Sequence, residues 1–172
     1  MKSAFKNSAL AMLVIISGMT IVHADPVNIN ITGVVVASAC TVNNNLSDLN
    51  VNLGTAIPAS TLTTGASSTP TPFALVLTNC PVGTNSVKVT FTGTPDTATG
   101  GTRFKNTGTA TNISVELSQP STGTILSNNS ALTQSVQADR TVTYVLSARA
   151  NATGQAAPGT ISAVVVANFT YN

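Results

Sequence analysis

The chain closes with Gly159-Thr160-Ile161-Ser162-Ala163-Val164-Val165-Val166-Ala167-Asn168-Phe169-Thr170-Tyr171-Asn172. Ile161, Ala163, Val165, Ala167, Phe169 and Tyr171 occupy every second position. Period two places them on one face of an extended strand, with Ser162, Asn168 and Thr170 on the other. The apolar face is expected to pack into a core. A last strand with no following hairpin partner also leaves one row of backbone N–H and C=O groups open to another chain.

The same period recurs upstream. Leu49, Val51 and Leu53 alternate before Gly54, Phe73, Leu75 and Leu77 before Cys80, and Val87, Val89 and Phe91 before Gly93. Ile113, Val115 and Leu117 precede Pro120, and Val142, Tyr144, Leu146 and Ala148 precede a turn predicted over Asn151 to Gly159. Residues 55 to 72, rich in Ala, Ser, Thr, Gly and Pro, read as a long loop. No helical period appears beyond the N-terminal segment. Seven or so short strands predict an all-β sandwich of immunoglobulin-like kind. The chain has no Trp, so the Cys-Trp-Cys pattern of antibody domains is absent.

The N-terminal segment reads as an export signal over residues 1–24. Lys2 and Lys6 supply positive charge, Ala9 to Ile16 is an unbroken apolar run, and Val22-His23-Ala24 is a small-residue cleavage site. The run is shorter than the roughly 20 residues of a membrane-spanning helix. A cut after Ala24 leaves 172 − 24 = 148 residues, enough for one domain with a real core. The new N-terminus, residues 25–36, is Asp25-Pro26-Val27-Asn28-Ile29-Asn30-Ile31-Thr32-Gly33-Val34-Val35-Val36. Val27, Ile29, Ile31, Gly33 and Val35 share one face of a second strand that needs a sheet to join.

Removing the signal also removes the basic balance. Lys88, Arg103, Lys105, Arg140 and Arg149 then face Asp25, Asp48, Asp96, Glu116 and Asp139, for a net charge of zero. No basic patch points to nucleic acid or an anionic membrane. A neutral chain this poor in charge is weakly defended against self-association. The single histidine, His23, leaves with the signal, so no Ser-His or Cys-His dyad and no imidazole ligand remain. There is no GxGxxG and no P-loop. No catalysis, metal, cofactor or small-molecule substrate is expected. Cys40 and Cys80 form an even pair in an exported chain, which suggests a disulfide; a redox or metal pair would lack CxxC spacing and partner ligands.

Both ends of the domain therefore carry an unpartnered strand. They could pair within one molecule, or the N-terminal strand could be added to a neighbour's sheet, where backbone bonds give affinity and alternate side chains fill pockets. Burying Val27, Ile29, Ile31 and Val35 at about 1.5–3 kcal/mol each is worth roughly 6–12 kcal/mol before entropy costs.

Several features together resemble the pilins of the chaperone–usher pathway, most closely the minor tip-fibrillum subunits of type 1 fimbriae. They are the signal and short extension, Ala39-Cys40-Thr41-Val42, and Leu77-Thr78-Asn79-Cys80-Pro81-Val82-Gly83. Phe104-Lys105-Asn106-Thr107-Gly108 running into Asn112-Ile113-Ser114-Val115-Glu116-Leu117 adds to these, as does a last strand with Gly159 fourteenth from the end and Tyr171 penultimate. The resemblance implies an incomplete immunoglobulin-like β-sandwich over residues 37–172 that lacks its final strand. A donated strand would complete it. Val27, Ile29, Ile31, Gly33 and Val35 would be donor residues. Gly159, Ile161, Ala163, Val165, Ala167, Phe169, Tyr171 and Asn172 would form the acceptor and chaperone-recognition strand, with the Asn172 carboxylate held by basic chaperone residues. Cys40–Cys80 would be the family disulfide. The implied partners are a periplasmic pilus chaperone, an outer-membrane usher and neighbouring pilin subunits. The implied course is export to the periplasm and assembly into an extracellular fimbrium on the bacterial surface. A structural subunit, minor or at the tip, is the leading expectation. A single-domain fimbrial adhesin that binds a host glycan or protein is the alternative.

Overall fold

A computed structural model describes residues 28–35, 38–42, 45 and 48–172. The signal segment 1–24 and Val27 lie outside these described residues. The chain divides into two units, Met1–Val34 and Val35–Asn172. In the first, Ile29, Ile31 and Val34 are exposed, and no strand is assigned to residues 28–34.

The second unit holds two antiparallel sheets. Its strands are β1 (Thr41–Val42), β2 (Thr71–Thr78), β3 (Ser86–Gly93), β4 (Phe104–Lys105), β5 (Ile113–Gln119), β6 (Thr124–Ile125), β7 (Ala131–Ser135), β8 (Val142–Ala152) and β9 (Val165–Tyr171). The larger sheet runs β1-β2-β8-β5-β4, with β6 also on β5; the smaller runs β7-β3-β9. The alternating runs read from the sequence become the inner faces. Leu75 and Leu77 of β2, Val115 and Leu117 of β5, and Val142, Tyr144 and Leu146 of β8 pack in one cluster with Val87, Val89 and Phe91 of β3. The Tyr144 hydroxyl crosses between the sheets and donates to the Val87 carbonyl at 2.7 Å. That bond removes the cost of burying a phenol in an otherwise apolar core.

Cys40 and Cys80 are joined by a disulfide, with Cα atoms 4.2 Å apart. Arg140 braces this end: its Nε donates to the Cys80 carbonyl at 2.7 Å, and its own carbonyl accepts from the Cys80 N–H at 3.0 Å.

Three expectations change, and β7 answers to none of them. Leu49 to Leu53 forms no strand; it runs as irregular chain without a ladder partner, and Leu49 is exposed. The expected loop 55–72 is shorter and more ordered than its composition suggested. It contains a 3-10 turn over Ala59–Thr61, buries Leu62, bonds residues 65–68 to the end of β8 and hands over to β2 at Thr71. β8 continues beyond Ala148 into the start of the predicted turn, as far as Ala152, because Ala150 and Ala152 are small enough to be buried where this sheet closes on Leu62. β7 gives no clear alternating signal, since Leu132 is its only large apolar residue.

Candidate strand-acceptor groove

β9 pairs with β3 from Val165↔Gly93 to Tyr171↔Val87. Among the described residues β3 is its only ladder partner, so the other edge of β9 is open. Its burial alternates as the sequence predicts, with Val165, Ala167, Phe169 and Tyr171 inward. These inward residues are only half-buried, whereas Val87 and Val89 on the neighbouring strand are 0% exposed. A two-sheet core should bury both strands equally. The difference is a groove of about 1110 Å³ along the inner side of β9, lined by the chain around Val51 and Leu53, by Leu75, Phe91 and Leu117, and by residues 159–167 and Phe169.

Of the eight residues predicted for the acceptor strand, Gly159, Ile161, Ala163, Val165, Ala167 and Phe169 line this groove. They do so in two segments rather than one continuous strand. Upstream of Val165 the chain leaves β3 and bonds to the loop after β4. Thr107 N–H donates to the Ser162 carbonyl at 2.8 Å and Ala110 N–H to the Thr160 carbonyl at 3.0 Å. The Asn106 side chain ties the same place together: its Oδ1 accepts from Ser162 N–H at 2.8 Å and from Gly108 N–H at 2.9 Å, and its Nδ2 donates to the Ala110 carbonyl at 2.8 Å.

Glycines make the handover possible. A Cβ on Gly93 would lie 2.8 Å from the Val164 carbonyl oxygen. A Cβ on Gly108 would collide with the Thr160 backbone, and one on Gly159 with the backbone of Thr109 and Ala110. Gly159 does not open β9, which starts at Val165; its position excludes a side chain because two backbones approach too closely there.

Tyr171 and Asn172 lie at the far end of β9 and do not line the groove. The terminal Asn172 backbone oxygen accepts from Asn85 N–H at 2.6 Å and Ser86 N–H at 3.1 Å, and Asn172 N–H donates to the Ser86 carbonyl at 3.0 Å. Burial raises the Tyr171 pKa, and a backbone hydrogen bond with Cys40 opposes the rise. Burial pushes Tyr144 up to about 12, with Tyr171 adding in the same direction. In the N-terminal segment Ile29, Ile31 and Val35 are 81%, 91% and 100% exposed, and Gly33 has nothing within 4 Å of its Cβ position.

Sequence reading missed one polar cluster. Glu116 is 2% exposed on β5, opposite Arg149 on β8. Its Oε1 accepts from Arg149 Nε at 2.8 Å and Nη2 at 2.7 Å, and its Oε2 from Arg103 Nε and Nη2, both at 2.8 Å. Glu116 alternates with Val115 and Leu117, so its outward direction was legible; its partners depend on a register that was not. Among the described residues no group of three Cys, Asp, Glu or His side chains is placed to hold a metal.

An antiparallel two-sheet sandwich whose last strand keeps an open edge beside exposed core is an immunoglobulin-like domain short of one strand. Residues 29–172 match the family described as fimbrial protein. The chain is 39% identical over 176 residues to protein FimG of Escherichia coli strain K12, covering all of both chains. It is 36% identical over 145 residues to the S-fimbrial adhesin protein SfaS of Escherichia coli O6:K15:H31, covering 83% of each. The P pilus rod subunit PapA superposes with a TM-score of 0.65 at 19% identity, over 77% of this chain and 99% of that one, a likeness of fold. The chain belongs to the fimbrial protein family, as a subunit of surface fimbriae. Its relatives are structural fimbrial subunits rather than enzymes.

Proposed function

We propose that the protein is a minor or tip-adaptor fimbrial subunit that polymerises by donor-strand exchange. After removal of residues 1–24, residues 25–36 are the strand it gives, and residues 37–172 are the domain that receives one. The observation that carries this reading is the half-buried inner face of β9 along an open groove, in a chain that carries a second alternating apolar segment. A strand laid beside β9 would satisfy its free backbone edge and cover Val165, Ala167 and Phe169. A periplasmic chaperone fills the groove first, and the next subunit's extension replaces the chaperone strand at the outer-membrane usher. The apolar face of Val27, Ile29, Ile31 and Val35, worth roughly 6–12 kcal/mol on burial, drives the handover without any covalent chemistry.

Deletion of residues 25–36 tests this. The truncated subunit is expected to accumulate in complex with its chaperone and to be missing from every fibre position that requires donation to a neighbour. Normal incorporation of the truncation into fibres would sink the reading. A single-domain adhesin is the second reading, supported by the similarity to a relative named as an adhesin. Binding of a host glycan or protein by the strand-completed subunit separates the two.

A further inference from the structure

The groove lies between the inner faces of the two sheets; a separate cleft of about 460 Å³ lies on the outer face of the larger sheet. The two share no lining residue: Leu117, Leu146 and Ala148 line the groove, while the alternate residues Ser118, Ser147 and Arg149 line the cleft. The cleft volume lies within the roughly 300–1,000 Å³ typical of small-ligand sites. Glu116 forms part of its wall. One carboxylate holds two guanidinium groups, so the cluster carries 2 − 1 = 1 net positive charge. Both arginines engage Glu116 through Nε and Nη2. The Arg149 Nη1 therefore keeps its N–H donors, and the Arg149 side chain, 34% exposed, lines the cleft. Beside it the Ser118 and Ser147 hydroxyls bond each other at 2.9 Å, which uses one donor and leaves the second hydroxyl proton free. Pro70, Pro72 and Ile125 supply rigid apolar wall.

A fixed guanidinium with unused donors beside hydroxyls matches a carboxylate carried on a hydroxylated, partly apolar ring. We propose that this cleft binds a carboxylate-bearing sugar residue, with Arg149 Nη1 on the carboxylate and the Ser118/Ser147 pair on ring or side-chain hydroxyls. The inference gives the adhesin reading a site and does not depend on strand exchange. A subunit can assemble through its groove and bind through the opposite face.

The test is ligand-observed saturation-transfer NMR on the exported chain purified from the periplasm. N-acetylneuraminic acid and glucuronic acid are the acidic probes and lactose the neutral control. Saturation transfer is expected for at least one acidic sugar, weakened by salt and absent for lactose. Arg149→Gln should weaken binding by roughly tenfold or more. The double variant Ser118→Ala/Ser147→Ala leaves the Glu116 cluster whole and should also weaken it, which guards against misfolding of the arginine variant. A cooperative urea unfolding transition like that of the unaltered chain checks the fold of each. Equal signals from lactose, no signal from either acidic sugar, or binding unmoved by both variants overturns the proposal. Fibre incorporation, measured separately, reports on strand exchange alone.

Discussion

At the scale of single residues, the polar groups buried in this sandwich are where the sequence is hardest to read. Tyr144 occupies an apolar position in its alternating run, and nothing local marks its hydroxyl as a bond between sheets. Only the facing of β8 on β3 brings it to the Val87 carbonyl. That placement has a pH consequence. Below pH 10 folded and unfolded chains both keep the phenol protonated, so its burial adds no pH dependence. Between 10 and about 12 the unfolded chain loses the proton and the folded chain keeps it. Stability should therefore fall across that window, by roughly 3 kcal/mol at 1.36 kcal/mol per unit. Tyr171, also raised, acts in the same direction. Tyr144→Phe should cost about 1 kcal/mol at neutral pH through the lost hydrogen bond and should lose much of the alkaline decline. Urea midpoints measured from neutral pH to the alkaline limit check it, and an equal decline in both proteins would refute the assignment. Glu116 presents the same problem in another form. Its outward direction follows from period two, but Arg149 reaches it across strands and Arg103 from the turn before β4.

At the scale of elements, strand content was legible and pairing was not. The runs at 73–77, 87–91, 113–117 and 142–148 all became strands because their inner faces meet a partner sheet. Leu49 to Leu53 has the same period and forms no strand, because a ladder needs a neighbour and this segment borders the groove instead. The final segment reads as one strand from Ile161 but is held first by the loop after β4 and then by β3, changing over where Gly93 lets the Val164 carbonyl pass. The glycines at this crossing are therefore specific. Gly159→Ala and Gly108→Ala each force a methyl into backbone and should destabilise by about 1–3 kcal/mol, the usual cost of overpacking. Gly65→Ala, where the Cβ meets nothing within 4 Å but φ is +81°, carries only the backbone cost of roughly 1 kcal/mol. Denaturant unfolding of the three variants ranks them, and equal losses would show that close approach is not what Gly159 and Gly108 provide. The disulfide belongs to this scale too. It closes a 40-residue separation between β1 and the end of β2, and Cys40→Ser/Cys80→Ser should lower stability by roughly 4 kcal/mol through the freed unfolded chain. A loss below about 1 kcal/mol would mean that Arg140 and the β1 pairing hold this end without it.

At the scale of the whole molecule, the domain is incomplete in packing. Its core is tight where β3 faces β2, β5 and β8 and half-open along β9. No count of apolar residues in the sequence could reveal this, since β9 has the composition of a strand with both neighbours present. The open side predicts a gradient of local stability. An edge strand directs about every second N–H away from its partner. In the isolated subunit the amides of Val165–Tyr171 that point into the groove should exchange with solvent by local opening, at a small fraction of the global unfolding free energy. Those bonded to β3, and the amides of β3 and β8, should exchange only through larger openings. When a strand from another subunit fills the groove, the exposed set gains partners on both sides and the half-buried residues Val165, Ala167 and Phe169 lose contact with water. Protection of the groove-facing amides should then rise to the level of β3, while amides on the outer sheet face stay unchanged. Hydrogen exchange of the isolated subunit and of assembled fibres, read by mass spectrometry of peptides covering β3, β8 and β9, measures the difference. The same exchange rates for β9 in both states would mean that assembly leaves this edge unpaired and uses another surface.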